Sequence, residues 1–447
     1  MYSETITRFL RANGIKVGDE VELRNGKSAF EGILMPQTET GDPDSFVIKL
    51  KNGYNVGVKM DKDSKIRVLK SGEREFSFPS AKTSARKGLE KIALIYTGGT
   101  IGSKVDYSTG GVYMLTKPEE LLFEVPELSG IANIDVRDLM HMASEDMAHM
   151  EWGAIAKEVA DSLNGGARGA IITHGTDTMH FTSAALSFML QNLNAPVVLT
   201  GAQRSSDRGS SDAFMNLICS SYIATRSDIA EVGICMHEDS SDTSCSFIRG
   251  TKARKMHTSR RDAFKPVNDR QIARAFPNGK IEYANDYRHA SEKKQKVIAN
   301  TKFEPKVALI SAYPNSNPDI VGYYAGKGYK GLIIEGTGLG HVPVEPSMKE
   351  NSWLPAIKDA IGSGMVVGMT SQCLYGRVNT NVYRNLRRIS GAGVVYCEDM
   401  TPETAYVKLG FLLGNRTRKE AEGLLGKNIA GEITERSRID SAETGFD

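Results

Sequence analysis

The sequence predicts an α/β chain of two unequal parallel-sheet lobes, preceded by a small antiparallel β-barrel. Three observations carry this. From Lys91 onward, short apolar runs (IALIYT, AIITHGT, PVVLTGA, EVGICMH) alternate with amphipathic stretches of helical length (EWGAIAKEVADSLNG, FTSAALSFMLQNL, DAFMNLICSSYIAT). That alternation is the pattern of a parallel sheet with helices on both faces. A shorter series of the same kind begins at KVALISAYP and continues through GLIIEGTG and GMVVGMTS. Ahead of both, residues 15–69 hold only short strand-like runs between turn signals, among them GDEVELRNG, AFEGILM and DSFVIKLKNGYNVGV.

Taken in order, residues 1–70 read as the barrel unit, with Asn52-Gly53 as a hairpin turn between two of its strands. Residues 71–90 are polar, mixed in charge and weakly periodic, as a linker is. Residues 91–277 form the larger lobe. The polar stretch 278–304 connects it to the smaller lobe at 305–414. Residues 415–447 are a charged tail, helical before it frays. A chain of 447 residues is too long for one ordinary core, in keeping with this division.

A formal net charge of +2 excludes a global field of the kind that announces a nucleic-acid binder. The five cysteines, at 219, 235, 245, 373 and 397, include no CxxC pair and read as reduced thiols. MYSETITRFLRANG lacks an apolar signal core, and no run approaches the ~18 apolar residues of a membrane span. A soluble cytoplasmic protein is expected. His141, His149, His174 and His180 show no metal-ligand spacing, so no metal is expected.

Two threonines follow strand-like runs, at the carboxyl ends where open α/β sheets place their ligands. Gly98-Gly99-Thr100 lacks the spacing of a phosphate loop. Read as a plain connector it is unremarkable; read as a site, its glycines let the chain turn sharply and free N–H groups for an oxyanion. In His174-Gly175-Thr176-Asp177-Thr178, a hydroxyl stands beside a carboxylate, which a threonine nucleophile needs, although Thr-Asp at a strand end also serves as a helix N-cap. His174 is expected to brace the strand end. The run Arg249 to Arg261 carries six Lys or Arg and no acid. It reads as a solvated face, or less often a nucleic-acid contact. One lysine within it, turned inward toward Asp177, would be a candidate general base.

TGGTIG at 97–102, SEDM at 144–147, ITHGTDTM at 172–179 and VVLTGAQRSS at 197–206 resemble the asparaginase/glutaminase family of threonine amidohydrolases, over about residues 91 to the low 400s. The resemblance implies an asparaginase-like two-domain core and a threonine acyl-enzyme. It implies catalytic roles for Thr100, Thr176 and Asp177, and, counting back from FKPVN at 264–268, for Lys255. It also implies a lid tyrosine at Tyr113 and substrate contacts from Ser144, Glu145, Gly99 and Gly175. Glu145 stands where bacterial asparaginases usually carry glutamine. YRNLRR at 383–388 offers arginines where those enzymes present a glutamate.

The N-terminal strands resemble those of glutaminase subunits in archaeal-type glutamyl-tRNA(Gln) amidotransferases. That resemblance implies a partner, the E subunit, which uses ATP and magnesium to convert Glu-tRNA(Gln) to Gln-tRNA(Gln), no cofactor on this chain, and a homodimer within a heterotetramer. A free-standing L-asparaginase with an added barrel is the alternative. A non-catalytic RNA-docking protein is a third, opposed by the intact Thr100, Thr176, Asp177 and Lys255.

Overall fold

A computed structural model describes residues 2–26, 28–35, 37, 42–50, 55–71, 86–105, 112–114, 125–205, 210–292 and 295–437. The N-terminal unit opens with a helix that the sequence reading lacks, α1 (Glu4–Ala12). Ser3 caps it by accepting from the Ile6 N–H, and Ile6 and Leu10, about a turn apart, form its buried face. Strands β1 (Glu20–Asn25), β2 (Ser28–Met35), β3 (Ser45–Leu50), β4 (Asn55–Lys59) and β5 (Lys65–Lys70) make an antiparallel sheet in the order β4-β3-β2-β1-β5. The helix packs on it through a core that includes Val21, Leu23, Leu34, Phe46 and Ile48. The antiparallel unit is therefore present. A β4–β5 ladder, which would close it into the expected barrel, is not among the pairings of the described residues. The Asn52-Gly53 turn and most of the expected linker lie outside the described residues.

The larger lobe begins with β6 (Lys91–Tyr96), whose side chains go alternately to two cores, Ala93 and Ile95 to one and Ile92 and Leu94 to the other. A strand covered on both faces needs this continuous apolar sequence. A short hairpin, β7 (Ser103–Val105) and β8 (Val112–Met114), then leads to β9 (Asn133–Asp138) and α2 (His149–Asn164). Next come β10 (Ala170–Thr173), α3 (Met179–Met189), β11 (Leu190–Gln191), β12 (Val197–Thr200), α4 (Ala213–Arg226), β13 (Val232–His237) and β14 (Cys245–Arg249). Helices α2 and α3 cover one face through Trp152, Ile155, Val159 and Phe188, and α4 covers the other through Leu217 and Ile223.

A second hairpin, β15 (Ala253–Lys255) and β16 (Phe264–Pro266), stands off the main sheet, and β17 (Ala273–Ala275) and β18 (Ile281–Tyr283) rejoin it. The eight-stranded order is β18-β17-β14-β13-β12-β10-β6-β9. Strands β9, β6, β10, β12 and β13 are parallel, but β14, β17 and β18 add antiparallel. The four strands read from the sequence, β6, β10, β12 and β13, are thus parallel as expected, and the sheet is extended by antiparallel strands that the reading lacks, because the loop from Glu238 to Ser244 is too short for the crossover a parallel partner needs. Within the expected connecting stretch, β18 extends the main sheet and β19 (Ile298–Ala299) pairs with β11.

The smaller lobe runs β20 (Val307–Ser311), α5 (Asp319–Gly326), β21 (Gly331–Gly336), α6 (Trp353–Gly362), β22 (Val366–Ser371), α7 (Arg384–Gly391), β23 (Val395–Tyr396), α8 (Pro402–Asn415) and α9 (Arg418–Leu425). Its four strands are all parallel. Thr401 followed by Pro402 starts α8, and a Thr417/Glu420 capping box starts α9, as the tail's expected helix. No described helix is long and apolar enough to cross a membrane.

Candidate active site

The register of the central strands brings three loops to one place. Tyr96 pairs with Thr173 on one side and with Asp138 on the other, and Thr173 pairs with Thr200. The chain therefore leaves β9, β6, β10 and β12 at one level. Thr97, buried, donates its hydroxyl to the Thr173 carbonyl at 2.6 Å and so locks the first loop to the second. Gly98 and Gly99 then take φ of 104° and 87°, which L side chains rarely adopt. A Cβ on Gly99 would lie 2.4 Å from the Gly175 nitrogen, so the two glycine turns touch backbone to backbone. Thr100 follows at once, as the first residue of a single 3-10 turn.

The third loop carries Ser144, buried on the one-turn helix Ser144–Asp146. Its carbonyl accepts from Thr178 Oγ1 at 2.5 Å, and a Cβ on Gly175 would meet Ser144 Oγ at 2.8 Å. Glu145 is exposed on the same turn. The sequence thus puts glycine wherever two of these loops must close on each other.

His174, fully buried, braces the second loop as expected. Its Nδ1 lies 2.6 Å from the Gly175 carbonyl and its Nε2 2.8 Å from Thr182 Oγ1. Only a donor can face a carbonyl, so Nδ1 carries the proton and Nε2 accepts. Burial pushes this imidazole down to about 4, with the hydrogen bond to Gly175 opposing, so it is neutral at pH 7.

Lys255, on β15, enters from the off-sheet hairpin. Its Nζ is 2.8 Å from Thr176 Oγ1 and 2.7 Å from Asp177 Oδ1. Asp177 does not cap the helix that follows it: Thr178 occupies the N-cap position of α3, with no side-chain cap bond. The lysine side chain is 11% exposed, while the Asp177 side chain is 66% exposed. A hydroxyl, an ammonium and a carboxylate in contact can pass a proton to and from the hydroxyl. His180 lies behind them. Burial, then the charge of Arg254, push it down to about 3.

Every cation of the 249–261 run has a carboxylate. Arg249 pairs with Glu231 and Asp269, Lys252 with Asp399, Arg254 with Glu403, Lys255 with Asp177, Arg260 with Asp262 and Arg261 with Asp242. The solvated-face reading fails for Lys252, which is wholly buried. Tyr113 lies on β8 opposite Lys104. Two of the three arginines of α7 bond within their own lobe, Arg387 to the Asn381 carbonyl and Arg388 to Glu345. Among the described residues no group of three or more His, Cys, Asp or Glu could hold a metal ion. Sequence reasoning missed Thr97 and Thr178, whose hydroxyls tie the loops; their place inside TGGT and HGTDT was the signal.

Comparison with known proteins gives three family matches: Asparaginase, N-terminal, over residues 91–288; Glutaminase/Asparaginase C-terminal domain over 306–422; and GatD N-terminal domain over 15–69. The chain is 50% identical to the glutamyl-tRNA(Gln) amidotransferase D subunit of Pyrococcus furiosus, over 96% of this chain and 97% of that one. The chain belongs to the family of glutamyl-tRNA(Gln) amidotransferase D subunits. Its likeness to the family member from Methanopyrus kandleri is 45% identity over 97% of this chain and 94% of that one. Among solved structures, this member of the family is similar to the thermostable L-asparaginase from Thermococcus kodakarensis (TM-score 0.68, 30% identity, 77% of this chain and 100% of that one). It is also similar to L-asparaginase I from Vibrio cholerae (TM-score 0.67, 29% identity, 77% and 99%).

Proposed function

We propose that this chain is the glutaminase subunit of a glutamyl-tRNA(Gln) amidotransferase. It hydrolyses glutamine to glutamate and supplies the ammonia to the E subunit, which converts Glu-tRNA(Gln) to Gln-tRNA(Gln). The observation that carries the chemistry is Lys255 Nζ, held between Thr176 Oγ1 and Asp177 at the meeting of the two glycine turns. The names of the relatives and the asparaginase-like fold support the role.

In this reading Thr100 or Thr176 adds to the side-chain amide carbon of glutamine, and its proton passes through the Thr176–Lys255–Asp177 cluster to the departing nitrogen. The C–N bond breaks, ammonia leaves and a γ-glutamyl ester remains on the threonine. Water then adds to the ester and loses its proton to the same cluster; the C–O bond breaks, freeing glutamate and restoring the hydroxyl. Backbone N–H groups of the Gly98–Gly99 and Gly175 turns hold the oxyanion. Ser144 and Glu145 bind the substrate's α-substituents, and Tyr113 serves as the lid. ATP and magnesium belong to the E subunit, so this chain needs no cofactor. Two copies of it pair within a heterotetramer in the cytoplasm. The N-terminal sheet curls into the small barrel, a reading that the register shift between Glu20 and Val21 supports, since such irregularities increase local twist.

The test is ammonia release by the purified chain from glutamine and from asparagine. Hydrolysis of glutamine in preference to asparagine is expected. The likeness to free L-asparaginases favours a second reading, which a strong asparagine preference would establish. A chain that hydrolyses neither, even with the E subunit and Glu-tRNA(Gln) added, contradicts both.

A further inference from the structure

Lys255 does not stand on the main sheet. It projects from the β15–β16 hairpin, and both ends of that hairpin are fastened to the smaller lobe. At the entering end, the Thr251 carbonyl accepts from Thr404 Oγ1 at 3.0 Å, and Lys252, wholly buried, places Nζ 2.8 Å from Asp399 Oδ2. At the leaving end, Asn268 donates from Nδ2 to the carbonyls of Asp399 at 2.9 Å and Gly376 at 3.1 Å, and its Oδ1 accepts from the Gly376 N–H at 2.8 Å. The two ends are joined by Val267 N–H to the Lys252 carbonyl at 2.8 Å. One acid of the smaller lobe, Asp399, thus grips the hairpin twice, by its carboxylate and by its backbone.

A buried ion pair is a poor way to gain stability, because desolvating both charges offsets most of their attraction; well-packed apolar groups often do as well or better. What a pair with fixed partners does supply is direction. Asn268 adds the same quality: its backbone is held at a φ of 56°, and its side-chain amide bonds Gly376 and Asp399 of the smaller lobe. We propose that Lys252, Asp399 and Asn268 are positioning residues for Lys255, so that the smaller lobe sets where the relay lysine stands against Thr176 and Asp177. This rests on the relay role proposed above for Lys255. A displacement of about 1 Å at a reacting group costs on the order of 100-fold in rate, so a clamp of this kind governs turnover without touching substrate.

The test is a cycle of full-length variants, with kcat, KM and the pH–rate profile for glutamine hydrolysis read under the conditions where the wild-type chain turns over fastest. Asn268→Gly removes the clamp but suits the left-handed backbone and strands no charge. Its kcat is expected to fall at least ~10-fold with KM changed little, and its pH–rate profile to move, because a misplaced relay group loses its matched partners. In a Lys255→Met background the same substitution is expected to cost almost nothing more. Should Asn268→Gly fail to fold, Lys252→Met with Asp399→Leu replaces the buried pair by apolar groups and reads the same quantities. A lower melting temperature with kcat and pH profile unchanged would overturn the proposal in favour of a simple tie between lobes. An equal loss with and without Lys255 would overturn it too. A silent Lys255→Met would overturn the relay itself, and the positioning role with it.

Discussion

At Thr176, a hydroxyl that holds its proton tightly in water has an ammonium at 2.8 Å, and that ammonium has a carboxylate at 2.7 Å on its other side. Thr100→Val and Thr176→Val keep side-chain shape and remove the hydroxyl. Each is expected to lower glutamine turnover by ~100-fold or more with the fold intact by circular dichroism. A variant that turns over normally removes that threonine from the chemistry. Lys255→Met and Asp177→Asn break one relay at two points, so the double variant should lose little beyond either single. Losses that multiply would show two independent roles.

His174 supplies a different test. Its folded-state value is about 4 against an ordinary value of 6.5, with burial the chief cause. Between those values the unfolded chain binds the proton and the folded chain does not, so stability is fully present above pH 6.5 and is lost as pH falls toward 4, by on the order of 3 kcal/mol. Glu403, raised by burial, acts in the opposite sense. The comparison therefore needs His174→Gln, in which only the histidine contribution disappears. Urea unfolding from pH 7 to pH 4 is expected to show a flatter decline in that variant, and an equal slope would contradict the neutral, buried imidazole.

The loops define the elements' part in the site. Gly99→Ala places a Cβ 2.4 Å from a backbone nitrogen that cannot retreat without moving Gly175, at a φ of 87°. Backbone strain of this kind costs ~1–3 kcal/mol. Activity is expected to fall steeply, whereas Gly57→Ala, with open space around it, should behave as wild type in both activity and melting temperature. A fully active Gly99→Ala would show that the two turns need not touch. Much at this scale was legible in the sequence. The strands of the larger lobe announced themselves as continuous apolar runs, and Thr100, Thr176 and Asp177 lay where such strands end. The helix α1 was not legible, because its apolar face is little more than Ile6 and Leu10 among charged neighbours. The antiparallel strands β14, β17 and β18 were hidden too: pairing direction depends on loop length and tertiary partners, and short strands carry little periodicity. Lys255 came only by counting from FKPVN. No local pattern distinguishes a lysine turned toward Asp177 from its neighbour Lys252, turned toward Asp399.

Over the whole molecule, the larger lobe carries Thr100, Thr176 and Asp177 and, on its off-sheet hairpin, Lys255, while the smaller lobe grips that hairpin. The six cations of residues 249–261 are each matched by a carboxylate; Arg249, Lys252 and Lys255 are largely buried in these pairs, while Arg260 stays more than half exposed. A glutaminase that feeds a partner wastes substrate if it runs alone. Its competent arrangement should therefore be the minor one until the complex favours it, and activation amounts to a shift between two loop arrangements. The most direct measurement is the glutaminase rate of the purified chain, alone and then with the E subunit and Glu-tRNA(Gln). A rise of several-fold or more on adding both is expected, with glutamine as the preferred amide. Brisk turnover of asparagine by the isolated chain, unmoved by either addition, would contradict the amidotransferase role and leave a free-standing asparaginase.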